Sequence, residues 1–265
     1  MGVHALYTAA SGMDAQLRNI DVIANNVANI NTEGYRRDRI NFSDLFYRKE
    51  ALAGAAGIAD QPRPSGIHIG HGVEVVSTEK VFRPGGTIHT GNPFHVTIQD
   101  AGNHFFRVQY ADGQIAYTRA GNFVLNGQGQ FVTPSGHRLD TDAVLPPEFL
   151  NVTISENGVV QARTEEGQPS VQIGEITLTR FVNPAGLEPM GDNLFMMTAS
   201  SGEAVDVAPG SGRGATLLQG AMEGSNVNAI TELIQLIQAQ RAYEINSNVI
   251  ETADETLQIA NNLRG

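Results

Sequence analysis

His68 and His71, in Ile67-His68-Ile69-Gly70-His71, carry imidazoles close enough in sequence to share a divalent metal. No Asp, Glu or Cys completes a ligand set within that Gly-rich, strand-like run, so a solvated or packed histidine pair is expected. Gly210, Gly212 and Gly214 have the outline of a phosphate-cradling loop. No Lys-Ser or Lys-Thr follows them and no clear strand leads in, which makes a flexible arm the simpler reading. There is no Gly-x-Ser-x-Gly elbow, and the carboxylates are scattered over turns and strand faces without a pair suited to acid/base work. The absence of cysteine excludes disulfides, thiolate metal sites and a Cys nucleophile together. No catalytic, cofactor-binding or metal-binding residue is expected, and the chain reads as a non-enzyme.

The 265 residues, 41% hydrophobic and 17% charged, suffice for one or two cores. Lys and Arg number 17 against 28 Asp and Glu, and a net charge of -11 opposes attraction to a nucleic-acid backbone. Residues 1–31 lack a basic leader and a continuous apolar core, and no apolar run reaches membrane-spanning length. The expectation is a chain that does not span a membrane and that, if it leaves the cytoplasm, does so by a route that needs no ordinary signal peptide.

With no reactive constellation to position, the elements themselves carry the information. Leu6, Met13, Ile20 and Val27 recur every seven residues, with Ala9, Ile23 and Ile30 at the second seam position, and no Pro interrupts residues 3–31. Leu236, Tyr243, Ile250 and Leu257 repeat the pattern near the other end, with Ala239, Ala253 and Ala260. A second apolar row there, Ile230, Ile234, Ile237, Ile245, Val249, Ile259 and Leu263, predicts a helix buried from more than one side. Ser225 and Asn226 are the expected caps and Gly265 the expected stop. Periodicity alone leaves open whether the helices pair within one molecule or between molecules.

Residues 73–200 alternate apolar and polar in short runs, among them Phe94–Ile98, Phe105–Tyr110 and Gly174–Thr179. Asp112-Gly113, Asn126-Gly127 and Asn157-Gly158 are placed for two-residue turns at positive φ. Ala51–Gly66 and Ser200–Gly214 read as connectors, and Pro146-Pro147 suggests a boundary within the β region. The expected plan is α+β. It runs as an N-terminal helix and signature (1–42), an extended arm (43–72), an inner β-rich domain (73–140 with 200–224), a second β-rich portion (141–199) and a C-terminal helix (225–265).

Three stretches add a resemblance. Ala24-Asn25-Asn26-Val27-Ala28-Asn29-Ile30-Asn31-Thr32-Glu33-Gly34-Tyr35-Arg36-Arg37 closely resembles the N-terminal signature of the flagellar rod and hook family. Ser225-Asn226-Val227-Asn228 with Gln240-Arg241-Ala242-Tyr243-Glu244-Ile245-Asn246 resembles its C-terminal signature, and Tyr117-Thr118-Arg119-Ala120-Gly121-Asn122-Phe123 its shared β-domain motif. Pro64-Ser65-Gly66-Ile67-His68-Ile69-Gly70-His71-Gly72-Val73 and Asn193-Leu194-Phe195 look like the distal rod members, with proximal rod subunits the closest competitors. The chain departs from the family at Asp100-Ala101-Gly102-Asn103-His104, where a Gly-x-Gly is usual.

The resemblance implies a self-assembling axial subunit whose terminal helices form a coiled-coil inner layer around an export channel. It implies an assembly interface at Leu6, Met13, Ile20, Asn25, Asn26, Val27, Leu236, Gln240, Arg241, Tyr243, Ile250 and Leu257. It also implies a stiffening segment with Asp44, Leu45, Pro62, Pro64 and Gly66. The implied partners are further copies, proximal rod and hook subunits, outer bushing rings and the export apparatus, in a basal-body rod that crosses the periplasm.

Overall fold

The computed structural model describes residues 2–51, 65–110, 113–165, 167–211 and 214–262. Expectations resting on Pro62, Pro64, Asp112, Gly212, Leu263 and Gly265 lie outside these residues. The fold is α+β, with helix α1 (Gly2–Ala28), helix α2 (Ala229–Asn262) and a β-rich middle. The chain divides into two compact units, one of residues 1–27, 38–79 and 229–265, the other of 28–37 and 80–228.

In the first unit α1 buries Ala9, Ala15, Ile23 and Asn26. Leu6, Met13 and Ile20 are half-buried and Val27 is exposed, so the innermost row is the one through Ala9 and Ile23. The reason is close approach: a Cβ on Gly12 would lie 2.8 Å from Asn246 Nδ2 of α2. Asn26 Nδ2 donates to Glu232 Oε2 at 3.2 Å. These two contacts lie fourteen residues apart on each helix in opposite senses, so the helices run antiparallel over two heptad lengths. On α2, Glu232 and Ala239 are buried, Leu236, Tyr243 and Ile250 half-buried, and Leu257 exposed.

The expected extended arm is instead, where described, a two-stranded ribbon. Tyr47–Ala51 pairs antiparallel with Ile67–Gly70, Tyr47 opposite Gly70 and Lys49 opposite His68. The Leu45 amide donates to Gly72 O at 2.9 Å where the ribbon meets the neighbouring pair of strands, Asp38–Asp44 and Val73–Lys80.

The second unit centres on a nine-stranded sheet whose strand His104–Gln109 pairs with Ile115–Thr118, Arg138–Leu139 and Leu178–Arg180. Successive strand residues face opposite ways, so Phe105 and Phe106 feed two cores. Phe106 packs edge-on to Phe123 among Val108, Phe131, Leu139, Val160 and Leu178, while Phe105 meets Phe181 and Phe195. The first core also takes Val152, Ile154 and Ala162 from a three-stranded sheet of Asn151–Ile154, Val159–Arg163 and Val171–Glu175. One apolar core therefore crosses the expected boundary at 140/141.

Other details differ from the local patterns. Gly174–Thr179 is not one strand: Val171–Glu175 and Leu178–Arg180 belong to different sheets, with Ile176 buried between them. The expected connector 200–214 contains the strand Val205–Val207, paired with Leu178–Arg180. In the turn after Asn126 positive φ falls on Gly129, not Gly127, because Asn126 Oδ1 accepts from the Gln128 and Gln130 amides and lengthens the loop. Residues 225–228 precede α2 without capping it at Asn226, whose side chain is engaged elsewhere.

Candidate functional site

Along Ala215, Leu217, Ala221 and Glu223 the same parity faces inward, and at its end this parity buries a carboxylate. Strand Ala221–Glu223, paired with Thr87–His89, holds it there. Glu223 Oε1 accepts from Arg36 Nη2 at 2.7 Å and the Gly85 amide at 2.8 Å; Oε2 accepts from Arg119 Nε at 3.0 Å and Nη2 at 2.8 Å. Arg119 Nη1 reaches Asp100 Oδ1 and His104 O, each at 2.7 Å. Asp100 Oδ2 accepts from the Asn103 and His104 amides at 2.9 Å and lies 2.7 Å from His104 Nδ1.

Both guanidiniums are fully buried, and two carboxylates balance them. Burial pulls the Arg36 guanidinium below its ordinary pKa, opposed by Glu223 and reinforced by Arg119. Burial opposes ionisation of Asp100 too, but the His104 hydrogen bond and the charge of Arg119 outweigh it and hold the carboxyl far below the usual range.

The backbone is shaped to this cluster. Gly34, at φ +68°, donates to Glu223 O at 2.7 Å, and a Cβ there would meet Ala120 N at 2.7 Å. Only Gly takes that conformation against so close a neighbour. Gly102, at φ +103°, closes the Asp100 turn with Phe82 O where a Cβ would stand, 1.8 Å away. Asn226 Oδ1 accepts from the Arg37 amide at 2.7 Å, and its Nδ2 donates to Val81 O and Arg83 O. Asn193 Nδ2 donates to Glu33 O. The N-terminal signature, the β-domain motif and the start of the C-terminal signature thus converge within the β-rich unit.

In the first unit Asn26 does comparable work. Fully buried, it accepts from the Asp38 amide at 2.8 Å and donates to Asp38 O at 2.9 Å, pairing with that residue as a strand would. Asn25 is exposed, with Nδ2 3.5 Å from Asp38 Oδ2. Gln240 and Arg241 face solvent, Arg241 within 3.5 Å of Glu244. Glu223, Asp38 and Glu232 were not singled out from the sequence, and Asp100 and His104 only as a departure from the family pattern; the inward parity ending at Glu223 was the available signal.

Chemically, the carboxylates of the cluster are committed to structural contacts. Each carboxylate oxygen of Glu223 and Asp100 already accepts at least one hydrogen bond from within the protein. Among the described residues no group of three His, Asp or Glu is placed to hold a metal, and no helix is long and apolar enough to cross a membrane. His71 Nδ1 lies 2.9 Å from Phe46 O, and its ring packs edge-on to His4.

A buried ion-pair junction between three separated segments, with a long helix at each end, is the architecture of a structural protein. Residues 6–36 match the flagella basal body rod protein family, 100–162 the flagellar hook protein FlgE/F/G D1 domain, and 218–263 the flagellar basal body rod FlgEFG protein C-terminal family. The chain is 44% identical to the flagellar basal-body rod protein FlgG of Caulobacter vibrioides over 99% of its length and 100% of that protein, and 40% identical to FlgG of Borreliella burgdorferi over 99% of each. Its identity to FlgF of Caulobacter vibrioides is 31%, over 97% of the chain and 95% of that protein. The chain belongs to the FlgG family of flagellar basal-body rod proteins and is a structural subunit of the distal rod.

Proposed function

We propose that copies of this chain assemble into a tubular axle that transmits torque, with α1 and α2 forming a coiled-coil inner layer around an export channel. The outer row of α2 carries this reading. Ile230, Leu233, Ile234, Ile237, Ile245 and Ile259 remain exposed although the helix already has a pairing face, Ile230 at 72% and Ile245 at 62%. Burying such a side chain fully contributes roughly 1.5–3 kcal/mol, so covering the row yields several kcal/mol per subunit. Tyr7, Leu17 and Val27 extend the exposed apolar surface on α1.

In this reading Leu6, Met13, Ile20, Leu236, Tyr243 and Ile250, half-buried in one chain, are completed by neighbours. The segment with Asp44, Leu45, Pro62, Pro64 and Gly66 braces adjacent copies. Proximal rod and hook subunits meet the two ends, bushing rings surround the shaft where it crosses the periplasm, and subunits arrive through the export apparatus without a cleaved signal peptide.

A monomeric β-rich binding module with paired helices is the competing reading, favoured by the Gly12–Asn246 contact. The pair Ile234→Asp with Ile245→Asp separates them. Polymerisation, followed by sedimentation and electron microscopy, should be lost while the near-ultraviolet signal of the β-rich unit persists. Filaments formed at the unsubstituted rate would refute the axle.

A further inference from the structure

We infer that the outward face of the ribbon, Tyr47, Lys49 and His68, docks on the acidic line of α2 in a second copy of the chain. The inference rests on the self-assembling reading and adds which surfaces meet.

The ribbon has little support of its own. Two strands alone are marginal in water, and strands Tyr47–Ala51 and Ile67–Gly70 are exposed at nearly every position. The face carrying Arg48 and Ile69 borders a cavity of about 590 Å³ that is also lined by His4 and Thr8 of α1 and Val249 of α2. Alternation turns Tyr47, Lys49 and His68 to the other face, away from the chain's own α2. Tyr47 is 55% exposed there, and among the described residues Lys49 and His68 have no ion-pair partner.

The complementary surface is the C-terminal half of α2. From Glu244 to Asn262 it carries Glu244, Glu251, Asp254 and Glu255 and no Lys or Arg. Glu244, Glu251 and Glu255 are spaced seven and four apart, which puts them on one line of the helix, and all are exposed. Among the described residues Glu251 and Glu255 have no ion-pair partner, and Glu244 has only Arg241. Ile259, exposed beside this line, offers an apolar neighbour for Tyr47.

In a chain of net charge -11, repulsion between copies is eased where a cation, here Lys49, meets an anionic line. Repeated in one direction from copy to copy, ribbon on α2, the contact is heterologous and propagates head to tail, as a filament requires.

The critical concentration for polymerisation of the full chain, measured by sedimentation at low salt with filaments checked by microscopy, tests the pairing. Lys49→Glu converts attraction into repulsion and should raise it about tenfold, as should Glu251→Lys with Glu255→Lys. Combining all three should return it to within about threefold of the unsubstituted chain, and added salt should weaken assembly of the latter. A Lys49→Glu chain that polymerises at the unsubstituted concentration, or a combined variant no better than the worse parent, overturns the pairing but leaves self-assembly standing. An unsubstituted chain that forms no filament removes the reading beneath it.

Discussion

Replacing Glu223 by Gln removes one negative charge and keeps the side chain's shape, so the consequence is electrostatic. The native carboxylate accepts four hydrogen bonds, three from two fully buried guanidiniums and one from the Gly85 amide. In the variant one oxygen becomes an NH2 donor aimed at existing donors. Arg119 retains Asp100, but Arg36 loses its carboxylate, and its Nε and Nη1 already lack partners. Breaking a buried ion pair from one side costs about 3–5 kcal/mol. One carboxylate here serves two cations, so the upper end, about 5 kcal/mol, is expected, a large part of the 5–15 kcal/mol that holds a typical domain.

Urea unfolding followed by the near-ultraviolet signal of Tyr117, buried in the Phe105 and Phe181 cluster, reads this directly. With a slope of about 2.5 kcal/mol/M the midpoint should fall by about 2 M. Glu79→Gln is the control, because its pair with Arg39 is partly exposed and is worth about 1 kcal/mol or less. If Glu223→Gln shifts the midpoint no more than Glu79→Gln does, the cluster does not hold the β-rich unit together.

Two further outcomes follow from the same geometry. Asp100 has a folded-state pKa held below its unfolded value, so the unfolded chain binds the extra proton and stability rises with pH. Its contribution is complete above the unfolded carboxyl range, near pH 4, and fades as pH falls toward the folded pKa; Asp100→Asn should therefore be roughly 3 kcal/mol less stable at pH 7, with a gap that narrows below about pH 4 in urea titrations. Asn26→Ala removes both hydrogen bonds to the Asp38 backbone and should cost about 2–3 kcal/mol, seen as faster amide exchange at Asp38 and near the end of α1; unchanged exchange would show that the side chain is replaced without penalty.

Element type was legible in the sequence because period and turn chemistry are local. Heptads placed α1 and α2, and alternation placed most of the β-rich middle. Ends were less legible: Asn226 has the composition of a helix cap, but its three hydrogen bonds to Arg37, Val81 and Arg83 are long-range and leave α2 to begin at Ala229. Which seam position of α1 lies innermost was not legible either: Ala9 and Ile23 are buried and the Leu6 row half-buried, because α1 approaches α2 most closely on the side of Gly12.

What the sequence determined alone was the kind of protein: helix at both ends, strands between, no reactive constellation, and three motifs in the order of a known axial family. What only the tertiary structure decided was why those motifs belong together. Arg36 and Glu223 are 187 residues apart and Arg119 and Glu223 104 apart, separations that no local pattern encodes. The physical reason they meet is the cost of burying charge: once the strands carry Glu223 inward, the cations must follow.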